Sequence, residues 1–147
     1  MSTETLAGLI DARLDQAAAL AAVLAPTATF VKGGRNRKAW EPEAGSRTYL
    51  RGYERRATGP SPLSAGEHTV SAITGLIVIQ IFLELETSDE LALQLADTMR
   101  PVFITGDDGL EFEEGWSFRN LGRPPDSAHW MASCHFPYRY LVVGEGT

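Results

Sequence analysis

The residues of this chain that could do chemistry fall late in it. His129, Cys134 and His135 lie within "HWMASCH", and the carboxylates Asp107, Asp108, Glu111, Glu113 and Glu114 precede them. A zinc site needs several such ligands converging on one point. Alternation along a strand puts His129 and His135 on one face but roughly 20 Å apart, and it turns Cys134 to the other face. A cysteine nucleophile needs a base within hydrogen-bond reach, and nothing in the order of residues brings His68 to Cys134. The carboxylates do not follow the spacing of a calcium-binding loop. "GGRNRK", residues 33–38, has the glycines of a phosphate loop but not the full pattern or the helix that must follow. The expectation is therefore a protein that is not an enzyme, with no metal and no cofactor, and with a small buried thiol at Cys134.

Composition points the same way. The chain has 147 residues, 44% of them apolar and 22% charged, which suits a single domain over residues 1–147 with a core that needs no staples. The N-terminal stretch is acidic from Glu4 and does not read as a signal peptide. No apolar run approaches the roughly 18 residues of a membrane span. The net charge is −6, but residues 32–56 hold eight basic and three acidic side chains, a local balance of +5 that leaves −11 for the rest. Two surfaces of opposite sign are expected, and they favour association between copies or with a partner.

The elements that must position these surfaces follow from periodicity. Leu6, Ile10, Leu14, Ala17, Ala21 and Leu24 recur at helical spacing over residues 3–24, and Pro26 ends the run. Residues 27–32 form a short strand candidate. "SRTYLRGYERR", residues 46–56, alternates: Thr48, Leu50 and Gly52 point one way, and Arg47, Tyr49, Arg51, Tyr53 and Arg55 the other, as an exposed basic and aromatic face. A connection at residues 57–69, rich in proline and glycine, is read as the tip of a hairpin. From about Val70 a strand carries Ile73, Gly75, Ile77, Ile79, Ile81, Leu83 and Leu85 on one face, the pattern of a central strand covered by helices. Thr87 with Glu90 matches a capping box for a second helix bearing Leu91, Leu95 and Met99. A short strand is expected around residues 116–121. The last strand begins near His129, and Pro137 breaks its alternation, which implies an edge position or a bulge. The fold class is α+β: an antiparallel-rich sheet flanked by two helices, with a projecting hairpin or long loop.

"AWEPEAGSRTYLRGY", "GLIVIQIFLELETSDELALQLADTMRPVF" and the late "HFPYRYL" together span most of the chain. In these segments the sequence resembles the tail terminator proteins of long-tailed, non-contractile bacteriophages. Members of that family typically place a strand, a short polar turn, and a helix with "LAD" and a following phenylalanine, as Leu95, Ala96, Asp97 and Phe103 stand here. The chain departs in Glu84-Leu85-Glu86-Thr87, where relatives often place glycines. The resemblance implies a virion protein at the head-proximal end of the tail, assembled in the host cytoplasm. It would form a ring, a hexamer in the family, that caps the tail tube, stops its polymerisation and meets the head-tail connector or stopper protein. DNA would pass through the lumen without sequence-specific binding, and no membrane would be involved.

On that reading, subunit or tube contacts are expected at Arg47, Tyr49, Arg51, Tyr53 and Arg55 and in the loop of Pro60, Pro62 and Leu63. An acidic axial or lumenal surface is expected at Glu84, Glu86, Asp107 and Asp108, because like charge lets the genome slide. Two alternatives are another head-tail joining or tail completion protein and a small α+β enzyme or ligand-binding domain.

Overall fold

The apolar alternation from Ile73 to Leu83 produces the strand around which the chain is built. In the computed structural model, residues 3–33, 48–56, 61–62, 68–84, 90–123 and 129–145 are described. In order they form α1 (Thr3–Leu24), β1 (Thr29–Lys32), β2 (Tyr49–Arg56), β3 (Ser61–Pro62), β4 (His68–Glu84) and α2 (Glu90–Met99). A short 3-10 turn (Arg100–Val102), β5 (Leu110–Phe112), β6 (Ser117–Gly122) and β7 (His129–Glu145) follow. Leu85, Glu86 and the expected helix cap Thr87 lie outside the described residues, as do Arg47, Pro60 and Leu63.

The seven strands make one sheet in the order β1-β2-β4-β7-β5, with β3 beside β4 and β6 beside β7. Only β1 and β2 run parallel; every other pairing is antiparallel. The fold is α+β with a mostly antiparallel sheet, as the pattern required. β4 and β7 are its spine, paired without a slip from His68 opposite Glu145 to Glu84 opposite His129. Because β7 occupies one side of β4 throughout, β3 must lie on the side that β2 occupies further along. It returns antiparallel onto Ser71 and Ala72, as the hairpin reading expects.

Both helices pack on one face of the sheet. Leu6, Ile10, Leu14, Ala17 and Ala21 of α1 and Ala92, Leu95, Ala96 and Met99 of α2 meet Ile73, Ile77, Ile79, Ile81 and Leu83 of β4 in one buried cluster. Each fully buried aliphatic side chain there contributes about 1.5–3 kcal/mol of transfer free energy. The stripe on α1 ends one residue early, since Leu24 is exposed at its last turn. Lys32 of β1 reaches Asp11 and Asp15 of α1 at 2.9 and 2.8 Å, which ties the edge strand to the helix.

Pro137 occupies a local edge of β7, as expected, without ending the strand or forming a bulge against β4. It sits opposite Leu76 inside the strand, and its carbonyl accepts a bond from the Glu113 backbone N–H at 3.1 Å, on the side away from β4. A strand residue's nitrogen and carbonyl face the same neighbour, so the missing N–H costs β4 nothing. That outer neighbour is interrupted at this point. β5 pairs with residues 138–140 and β6 with residues 131–135, and the chain leaves the sheet between them.

Candidate interaction surface

The face of the sheet turned away from the helices is built by the other half of the alternation. Register places Arg51 opposite Gln80, Gln80 opposite Ser133, and Ser133 opposite Arg119. A polar row thus crosses four strands. The next row runs Tyr53, Val78, His135, Ser117. Arg55 and Arg119 are exposed, and among the described residues neither has a salt-bridge partner. The Arg51 guanidinium lies 5.0 Å from the centroid of the Tyr53 ring, a cation–π contact that holds it on the surface.

His135 is half-buried in this face and shares a 2.9 Å hydrogen bond with the Ser133 hydroxyl. Burial, then the positive charges of Arg119 and Arg55, hold its pKa below the ordinary histidine value. Near neutral pH the imidazole is therefore uncharged, and the arginines supply the positive potential.

The expected contact residues divide. Arg51, Tyr53 and Arg55 stand on the open face as alternation predicts. Tyr49 does not: it is buried, stacked on Phe82 at 4.7 Å and edge-on to His129 at 5.2 Å. The physical reason is that the β4 strand is apolar on this face too at its far end, so Tyr49 packs there instead of meeting solvent. Pro62 lies in β3, opposite Ser71. The remaining expected contacts, Arg47, Pro60 and Leu63, fall on residues outside the described set, as does Glu86.

The acidic positions do not come together. Glu84 is exposed at one end of β4, whereas Asp107 and Asp108 lead into β5, whose Leu110 pairs with Tyr140, level with Ile73. Eleven residues of strand separate the two ends, about 35 Å, several Debye lengths in physiological salt. Asp108 is moreover engaged: one oxygen accepts the Leu110 N–H at 3.1 Å and the other is 3.4 Å from Arg13. Within one copy, Glu84 and the Asp107–Asp108 pair therefore belong to separate patches.

Two polar assemblies went unread in the sequence. Arg13 of α1 donates to the carbonyls of Val102 and of Ile104, the latter at 2.9 Å, and lies over the Phe112 ring at 5.4 Å. Its signal was a charged residue beside the apolar stripe, three positions after Ile10. On the helix-side face, Tyr138 donates to Glu54, which also accepts from Arg56 at 3.0 and 3.2 Å. Burial and the Glu54 carboxylate keep the Tyr138 phenol protonated well above its usual range.

Cys134 is buried on the helix side, and burial, with the Asp97 charge adding to it, pushes its pKa up to about 12. Thiolate is the reactive form, so the native protein should resist alkylation at mildly alkaline pH and label only in urea. Mass spectrometry after iodoacetamide treatment checks this, and rapid labelling of the folded chain would contradict it.

No family model matches the chain, and no curated protein matches it. Solved structures do. One, whose name states no function, superposes with a TM-score of 0.61 at 20% identity, covering 95% of this chain and 96% of that one. At that identity the likeness concerns the fold alone.

Proposed function

We propose that this protein is a structural subunit of a bacteriophage tail, a terminator that caps the tail tube as a ring and offers the joining surface to the head. The observation that carries the reading is the division of the sheet into two unlike faces. One is sealed by α1 and α2 into an apolar core, and the other is free of helices among the described residues and edged with Arg51, Arg55 and Arg119. A helix-free face with Arg51, Arg55 and Arg119 around a buried centre of Tyr49, Val78 and Phe82 is suited to docking on acidic protein surfaces through those arginines. The resemblance of residues 75–97 and their flanks to tail terminators supplies the setting. Tube protein, connector or stopper, and further copies of the chain are the partners, and DNA passes through the lumen without base-specific contact.

The test is electron microscopy of a phage lysate in which the gene carries an early nonsense codon. Overlong tails without heads, beside filled heads, are expected. Tails of normal length that fail to join would place the protein among completion proteins, and normal infectious particles would overturn the reading. In the same assay, Arg51→Glu with Arg55→Glu should abolish joining while circular dichroism stays native.

A further inference from the structure

The interruption between β5 and β6 opens a groove of 540 Å³ at the outer edge of β7. Its walls are aromatic. Phe136 stacks on Phe103 at 4.2 Å and on Trp116 at 5.9 Å, and Phe112 meets Phe103 edge-on at 5.8 Å. Glu113 and Glu114 line it, both exposed, and among the described residues neither forms a salt bridge. Arg100 lines the groove too, its guanidinium 4.9 Å from the Trp116 centroid, which leaves the two carboxylates one negative charge in excess and the Phe103, Phe112 and Phe136 rings for an incoming cation. Planar cations stack on such rings, and an arginine stem lies well on apolar walls.

At the opposite edge of the same sheet, β1 pairs with β2 only from Tyr49 to Gly52. Among the described residues no strand lies outside Tyr53–Arg56, and Arg55 belongs to that stretch, with its exposed side chain on the helix-free face. We infer that the groove receives the Arg55 side chain of a second copy, between Glu113 and Glu114 and against the aromatic wall. The inference rests on the proposed reading of the protein as an assembling subunit, and it names the neighbour that Arg55 meets.

Charge complementarity selects a second copy as the occupant. Among the described residues Arg55 of one edge strand, and Glu113 and Glu114 over an aromatic groove at the other edge, form no salt bridge, so each copy carries both halves of one contact. Because the halves are different surfaces, the association is heterologous and continues from copy to copy until rotation closes it. Sheet edges left open in a monomer are also where strands recruit partners.

Sedimentation velocity of the full chain tests this with charge reversals. The wild type should associate in low salt and dissociate in high salt, as screened ion pairs do. Arg55→Glu alone, and Glu113→Arg with Glu114→Arg, should each weaken association by about tenfold or more. Combining all three reversals should restore it, because the pair is rebuilt with its signs exchanged. Restoration supports the contact. A wild type that stays monomeric at high concentration in low salt overturns it, and so do reversals without effect or a combination that fails to restore while circular dichroism remains native. The nonsense lysate is scored separately, on tails. Association with normal tails would end the terminator reading and leave the contact standing, whereas aberrant tails without this association would do the reverse.

Discussion

Replacing Gly75 by alanine is expected to cost about 3 kcal/mol of stability, although the position lies in a strand where side chains are normally welcome. A β-carbon there would stand 2.7 Å from the Arg55 carbonyl oxygen and 2.7 Å from the Tyr138 hydroxyl. Neither neighbour can yield cheaply. The carbonyl belongs to β2, whose Arg56 is paired with Gly75 itself, and the hydroxyl is held by Glu54, which Arg56 also grips. Moving Tyr138 leaves a largely buried carboxylate one donor short, a loss that adds to the overpacking. Urea denaturation followed by circular dichroism would show the midpoint falling with little change of slope. The Gly75→Ala, Tyr138→Leu double mutant, which removes both the hydroxyl and the ring Cζ at 2.8 Å, should recover part of the loss, with a coupling of about 1 kcal/mol. Strict additivity would mean that the clash with Arg55, and not Tyr138, sets the cost.

Arg13→Met should be nearly as damaging, at about 2–3 kcal/mol, because it removes a charged donor from two carbonyls that no other described group satisfies at the end of the 3-10 turn. The side chain is only 11% exposed and Val102 is buried, so water cannot simply replace it at that carbonyl, whereas the Ile104 carbonyl is open to solvent. Asp108→Asn should cost less than about 1 kcal/mol, since that pair is 3.4 Å long and partly solvated. Arg13 bridges α1, the turn after α2 and the start of β5, so hydrogen exchange should quicken at Leu110 and Phe112 before the β4 core responds. Equal losses for the two variants would show that the ion pair, not the carbonyl contacts, holds the corner.

Much of the scaffold was legible because burial imprints period on sequence. The stripe from Leu6 to Ala21 and the alternation from Ile73 to Leu83 each have one low-energy arrangement, with the apolar residues turned inward, and the structure adopts both. The position of Cys134 in the core follows from the same alternation. Pairwise meetings between distant segments leave no such imprint. Tyr49 has the sequence context of an exposed residue and is buried, with Phe82 and His129 packed beside it. Pro137 is accommodated because the gap between β5 and β6 leaves no strand on its outer side that needs an N–H from it.

The acidic residues illustrate the limit most plainly. Glu84 and Asp107 look alike in composition, yet β4 holds them at opposite ends of the sheet, while Asp108 is drawn off to Arg13. By itself the sequence determined the α+β class, the central strand and the buried face of each helix, since these depend on local period and on the removal of apolar surface from water. Tertiary structure alone decided which charges are paired, where the sheet edges lie open and that four aromatic rings converge at one of them, because these depend on register between strands far apart in the chain.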